Sequence, residues 1–377
     1  MNPVPLSSPD ITEREIEAVV EVLRSPQLSL GPRLEAFEQA CARYAGTRHA
    51  VAVSSGTAAL HLTVHALGLG PGDEVVTTPF SFVATANCLL FEGATPVFAD
   101  IDPRTWDLDP DAAEAAVTGR TRALLPVHVF GRPCPMPRYL EIAQRHGLAV
   151  IEDSCEAIGS TIDGRMAGSF GIAGNYAFYP NKQITTGEGG VVVTDDDELA
   201  RLVRSLRNQG RGEGGGWLAH ERLGWNYRIP DILCALGLVQ LERLEEFIAR
   251  RQRVFDLYGE HLAGIEEIVT PAPPAPGQRV SWFVYVVTLR EGETRARRDA
   301  VLEALGRRGI GCRNYFVPIH LQPFYRERFG LRDGMFPVTE SVAARTIALP
   351  FFNALTEEQV ARVAQALREA LDETRGA

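Results

Sequence analysis

The sequence predicts an α/β protein in two parts: a larger layer around a mostly parallel sheet, then a smaller α+β region. Three observations carry this. From about residue 35 to 205, short apolar β-branched runs alternate with helical patterns, as strands covered by crossover helices do. A proline-rich run at 271–276 marks a stiff linker or edge. Beyond it lies a separate set of one strand-like run and two helical patterns. At 377 residues the chain exceeds a typical single domain, so two domains sharing one cleft are expected, spanning 1–250 and 251–377.

Residues 49–53 read as a strand and 57–67 as a helix; 74–78 and 81–92 repeat that order. Strands follow at 96–101, 123–129 and 149–152, with a helix at 136–146 between the last two. A strand at 190–194 leads into a helix at 196–207, whose first turn is acidic and so opposes the helix's positive end. The glycine-rich stretch 209–216 breaks the pattern. It lacks the Gly-Lys-Ser/Thr ending of a nucleotide P-loop and reads as a mobile loop or a lid over a cleft. Residues 231–258 read as one long amphipathic helix. The second part has a strand at 282–289, a helix at 296–308 and a closing helix at 357–371. Arg297, Arg298, Arg307 and Arg308 read as solvated charges on the face of that first helix.

A net charge of −10 argues against a nucleic-acid coat, because binding a phosphate backbone needs a local excess of basic residues. Cysteines 41, 88, 134, 155, 234 and 312 are scattered without a Cys-x-x-Cys pair, which suggests reduced thiols in a cytoplasmic protein. The N-terminus has no basic segment followed by an apolar core. No apolar run reaches the ~18 residues of a membrane span, so no membrane association is expected. His61 and His65, four apart on a helix, lack the intervening Glu of a zinc motif and read as structural; no metal site is expected.

The most informative feature is that the chain has 37 arginines and one lysine, Lys182. A guanidinium stays protonated and delocalised, whereas an amine can lose its proton and attack a carbonyl. Either position 182 needs an amine as such, or arginine-codon bias left one lysine behind. The surroundings decide between these. Ser54-Ser55-Gly56-Thr57-Ala58-Ala59-Leu60 lies where a strand ends and a helix begins, so free backbone N–H groups face an anion there, although Ser and Thr are also ordinary N-caps. Ile151-Glu152-Asp153-Ser154 puts acidic residues at the carboxyl end of a buried strand, the edge where ligands bind in open α/β sheets. The Lys182 stretch itself carries Gly187, Gly189 and Gly190, as a tight turn before a strand requires. These are the parts that pyridoxal 5′-phosphate (PLP) needs: an amine for its aldehyde, N–H groups for its phosphate, and a carboxylate for its ring nitrogen. At ~3 Å and an effective dielectric near 20, that last attraction is worth several kcal/mol.

The strings Val-Ser-Ser-Gly-Thr-Ala-Ala-Leu-His-Leu, Ile-Glu-Asp-Ser and Phe-Tyr-Pro-Asn-Lys-Gln-Ile-Thr-Thr-Gly-Glu-Gly-Gly resemble the DegT/StrS family of PLP-dependent nucleotide-sugar aminotransferases. The segments 223–232 and 317–323 match two further motifs, so the resemblance runs from about Ile11 to the C-terminal helix. It implies an aspartate-aminotransferase-like architecture (PLP fold type I), with a seven-stranded-type sheet in the large domain and a smaller C-terminal α+β domain. By position, it makes Lys182 the Schiff-base lysine, Asp153 the partner of the ring nitrogen, Phe82 the stacking aromatic, and Gly56 and Thr57 phosphate ligands. Glu156 stands where the family commonly has Gln or His near the phenolic oxygen, and a carboxylate there puts direct contact in doubt. Ala177 replaces a serine that touches the phosphate in many relatives. Asn226 matches a phosphate contact made across a subunit interface, which implies a homodimer with shared sites. Tyr315 and His320 match a substrate-binding segment, with a sugar or pyrophosphate contact implied for His320, although it also reads as a satisfied loop histidine. The implied substrates are L-glutamate and a nucleotide-diphosphate 4-keto-6-deoxyhexose. The alternatives are a 3-keto sugar or keto-inositol acceptor, or a non-catalytic regulator in which Ala177 and Glu156 mark decay.

Overall fold

The structure is a computed structural model that describes residues 2–212 and 219–375. Much of the 209–216 loop expected from sequence therefore falls on residues 213–218, outside the described residues. Helices α1 (Glu13–Leu23) and α2 (Pro32–Ala45) come first. The alternation then runs β1 (His49–Val53), α3 (Gly56–Ala66), β2 (Glu74–Thr77), α4 (Ala84–Phe91) and β3 (Thr95–Phe98). It continues through α5 (Pro110–Ala115), β4 (Thr121–Leu125), α6 (Met136–His146) and β5 (Ala149–Asp153). A short hairpin, β6 (Thr161–Ile162) and β7 (Arg165–Met166), leads to β8 (Ala173–Ala177), β9 (Gly190–Thr194) and α7 (Asp197–Arg207).

The seven principal strands form one sheet in the order β1-β9-β8-β5-β4-β2-β3. Only β9 runs antiparallel to its neighbours, pairing with β1 and β8; the other pairs are parallel. The expected strands at 49–53 and 190–194 and the helix at 136–146 coincide with β1, β9 and α6. The central strand β8 was not anticipated. Its sequence, Ala-Gly-Asn-Tyr-Ala, lacks the β-branched residues that mark a strand. Pairing on both sides, to β5 and β9, holds it in the sheet instead.

Helices α8 (Asp231–Glu242) and α9 (Leu244–His261) correct the expected single helix over 231–258. The break is at Arg243, where the backbone sits at φ −94°, ψ 0°. Its guanidinium is drawn inward to the carboxylates of Glu15 at 2.7 Å and Asp10 at 2.9 Å, a tertiary contact that helical periodicity cannot reveal. Phe247 and Ile248 on α9 pack with the sheet's helices, whereas Val254 and Tyr258 join a second core. One helix thus belongs to both parts.

The second part comprises β10 (Ile268–Val269), β11 (Gln278–Arg279), β12 (Tyr285–Leu289), α10 (Arg295–Arg307), α11 (Pro323–Phe329), α12 (Pro337–Arg345), β13 (Thr346–Leu349) and α13 (Glu357–Glu373). Its sheet is β10-β12-β13, while β11 pairs with β6 of the larger part. The strand expected from residue 282 begins at Tyr285, because the Phe283 N–H donates to the carbonyl of Phe130 across the cleft. Val4, from the N-terminal segment, is buried in this second core and bridges to Ile310. Arg297 and Arg298 are not solvated face charges: they are 7% and 2% exposed. The Arg298 guanidinium donates to the carbonyls of Ala343 and Thr346, satisfying acceptors left open where α12 ends. Among the described residues, no helix is long and apolar enough to cross a membrane.

Glu15 generates a test of this framework. Burial alone would raise its pKa, but hydrogen bonds from Thr12, Arg243 and Gln240 prevail and hold it at about 2. A depressed carboxyl stabilises the fold fully above the unfolded-state pKa near 4.5 and loses that contribution as pH falls through about 2. Glu15→Gln is expected to lower unfolding free energy by roughly 3 kcal/mol at neutral pH, with wild type and variant converging near pH 2. Denaturant melts across pH 2–7 check this.

Candidate active site

At the carboxyl end of β5, strand alternation separates two neighbouring acids, because successive side chains point to opposite faces. Glu152 turns away and is consumed by structure. It accepts from the backbone N–H groups of Gly168, Phe170 and Gly171 and pairs with buried His128 at 3.0 Å. Asp153 faces a cavity of about 850 Å³ between the two parts. That volume lies within the range of small-molecule sites. One Asp153 oxygen accepts from Thr85 Oγ1 at 2.7 Å, and Thr85 in turn meets Ser81 Oγ at 2.8 Å. The other oxygen accepts from the Cys155 N–H at 3.2 Å.

Lys182 reaches the same cavity from the turn between β8 and β9. Gly187 adopts φ +81° to make that turn, a conformation other residues enter only at a cost. Gly190 lets the start of β9 press against the strand-to-helix turn at Ser55 and Gly56, where a Cβ would sit 2.5 Å from the Ser55 carbonyl. The Lys182 side chain is largely buried. Its Nζ lies 4.0 Å from the centroid of the Phe283 ring and 3.3 Å from Glu156 Oε1. The Lys182 carbonyl accepts from Arg251, which also donates to the carbonyls of Trp282 and Phe283.

Ser54, Ser55, Gly56 and Thr57 line the cavity at the start of α3. Ser55 is the N-cap, accepting from the Ala58 N–H at 3.1 Å, so the cap reading of this segment holds. The cap occupies one N–H, while the first helical N–H groups have no partner within the helix. Gly56 is packed tightly: a Cβ there would meet the Ala177 side chain at 2.6 Å. Ala177 itself lines the cavity beside it. Phe82 also lines the cavity and is 62% exposed, leaving its ring free to cover a ligand.

Glu156 is buried at the cavity wall, where Oε2 accepts from the Phe130 N–H at 2.9 Å. Burial pushes its carboxyl above the usual range, while the Lys182 charge and the Phe130 N–H pull the other way. Tyr315 lines the cavity, and its phenol is pushed up by burial and by the nearby Glu156. Two expected residues do not line the cavity. His320 is fully buried, with Nε2 on Glu340 at 3.0 Å and Nδ1 without a partner, so it is only half satisfied and does not reach the cavity. Asn226 is exposed and bridges to Asn208. His61 and His65 both bind Glu92, at 2.6 and 2.9 Å, in a structural cluster with Trp225.

The sequence reasoning missed Thr85, Phe283 and Arg251. Thr85 follows Phe82 at the start of a helix and could have been suspected from that position. Arg251 is one of 37 arginines on a charged helix, and nothing local distinguishes it.

The donor set suits PLP. An amine, a carboxylate, open helix N–H groups and an exposed aromatic ring converge on one cavity, and the buried Asn181 Oδ1 on its wall has no partner. A model of the DegT/DnrJ/EryC1/StrS aminotransferase family matches residues 9–368. Spore coat polysaccharide biosynthesis protein SpsC of Bacillus subtilis is 40% identical over 376 residues, covering 97% of this chain and 96% of that protein. GDP-perosamine synthase of Caulobacter vibrioides is 40% identical over 370 residues, 98% of each. The X-ray structure of S. venezuelae DesV, in complex with a ketimine intermediate, superposes with a TM-score of 0.91 at 36% identity, covering 98% of each chain. Matched over nearly its whole length, the chain belongs to the DegT/DnrJ/EryC1/StrS family and is a PLP-dependent sugar aminotransferase.

Proposed function

We propose that the protein transfers an amino group from L-glutamate to a nucleotide-diphosphate 4-keto-6-deoxyhexose, in the cytoplasm, at sites shared between two copies of the chain. The observation that carries the reading is the meeting of Lys182 and Asp153 on one cavity. The 40% identity to a protein named GDP-perosamine synthase supports a nucleotide-linked sugar as acceptor. Six unpaired cysteines suit a reducing compartment.

When bound, PLP supplies an aldehyde that amines condense with and a protonated ring that draws electrons from the adjoining carbon. Lys182 would hold that aldehyde, and its Nζ, when neutral, would be the group placed to move a proton between carbons. Asp153 keeps the ring nitrogen protonated by opposing its charge. Thr85, steadied by Ser81, holds the Asp153 carboxylate in one orientation. The N–H groups of Gly56 and Thr57 bind the phosphate, with the Thr57 hydroxyl beside them. Phe82 would cover the ring, and Tyr315 would form part of the acceptor's wall. His320 acts at a distance, fixing the loop that carries Tyr315 through its bond to Glu340.

Among the described residues, Lys182 is the only cation lining the cavity. A phosphate, a donor carboxylate and a diphosphate-bearing acceptor need more positive charge than that. A second copy of the chain would supply what is missing, and Asn226, exposed and outside its own chain's cavity, would add an uncharged amide donor to that copy's site.

Arg251 is a positioning residue in this scheme. It is 2% exposed, burial pushes it down to about 10, and its three carbonyl acceptors fix the Lys182 and Phe283 backbones relative to one another. Arg251→Met keeps an apolar stem but drops the fork. It is expected to weaken PLP retention about tenfold, a loss of about 1.4 kcal/mol, read by absorbance titration of the apoenzyme. Lys182→Ala is expected to abolish the borohydride-reducible visible band and to cut turnover by at least about a thousandfold; near-native turnover in that variant overturns the assignment. A panel of keto acceptors with glutamate as donor tests the substrate. Turnover of a 3-keto sugar or keto-inositol in place of the 4-keto-6-deoxyhexose reassigns it.

A further inference from the structure

Glu156 is a cavity residue, in contact with Lys182, whose chemistry remains unused. Its carboxylate has two partners, the Phe130 N–H at 2.9 Å and Lys182 Nζ at 3.3 Å. The other titratable groups acting on this region are the Asp153 carboxylate, the Cys155 thiol and the Tyr315 phenol. None of these three is a cation. The Lys182 ammonium is therefore what balances the Glu156 charge in a buried setting, and removing that balance leaves an ionised carboxylate strongly disfavoured.

Loading the cofactor changes this balance. In PLP the phenolic oxygen is ortho to the aldehyde carbon, so any nitrogen bonded to that carbon has the oxygen within hydrogen-bond reach. The Lys182 nitrogen then shares its charge and its proton with an anionic oxygen that accompanies it into the space beside Glu156. Two acidic oxygens in one buried site, with a weakened cation between them, do not both stay ionised.

We propose that Glu156 takes up one proton from solvent when PLP loads, and that as a neutral acid it donates a hydrogen bond to the phenolic oxygen. The carboxylate expected from sequence to repel that oxygen would then serve as its donor. The step balances. An ammonium and an aldehyde give a protonated C=N linkage and one water with no net proton change, so the extra proton resides on the Glu156 carboxyl. The proposal rests on Lys182 holding the aldehyde, and borohydride trapping followed by peptide mass tests that separately on the same sample.

The experiment titrates apoenzyme with PLP by calorimetry in two buffers of different ionisation enthalpy, for wild type and Glu156→Gln. Wild type is expected to take up about one proton per site more than the variant, whose remaining uptake belongs to the cofactor ring. Because binding takes up a proton, wild-type affinity is expected to fall as pH rises through the loaded acid's titration, more steeply than Glu156→Gln by up to about tenfold per pH unit, the variant keeping only the slope of the cofactor ring's own uptake. Equal uptake in the two proteins overturns the proposal. If the variant does not fold, the infrared difference spectrum of wild type, loaded minus apo, decides. A gained protonated-carboxyl band that shifts in deuterium oxide supports the assignment, and its absence refutes it.

Discussion

The site depends on keeping one amine nearly buried and pointed at a carboxylate-lined wall. A lysine on a turn would ordinarily extend into water, where its ammonium is best solvated. Here three contacts hold it inward. Phe283 presents a ring face to Nζ, Glu156 presents an oxygen, and Arg251 grips the lysine's own carbonyl. Two of these come from elements far along the chain, α9 and the segment entering β12. The lysine is thus oriented only when both cores have assembled around α9.

The two acids at the end of β5 show how a strand assigns roles. Glu152 and Asp153 are adjacent in sequence and alike in chemistry, yet the pleat sends one toward backbone N–H groups behind the sheet and the other into the cavity. The first serves the fold, and the second is left facing the cavity. A similar division appears at the start of α3, where Ser55 caps the helix end while neighbouring first-turn N–H groups have no partner within the helix. A regulator that had lost its chemistry would have no need to preserve this division, and the departures at Ala177 and Glu156 do not undo it. Ala177 packs beside Gly56, and Glu156 finds a cation partner.

Legibility in the sequence followed the range of the interactions involved. Strands such as β1 and β9 and the helix α6 were readable because their periodicity and β-branched content are local. The strand β8 was not, since pairing on both sides rather than composition keeps it in the sheet. The expected long helix failed at Arg243 for a similar reason, its side chain being drawn to carboxylates more than 200 positions away. Arg298 looked like a surface charge until α12 ended over it and offered its open carbonyls.

By itself, the sequence determined the chemistry. A single amine, an acid at a strand's carboxyl end and a glycine-bearing strand-to-helix turn name a PLP site, because few other residue types can do those tasks. Only the tertiary structure decided which residues serve the site from a distance. It drew His320 away into the core, set Thr85 on Asp153, chose Arg251 from 37 arginines and put Glu156 beside the lysine. Residue type limits what a side chain can do, but burial and the partners supplied by distant elements settle which of those things it does.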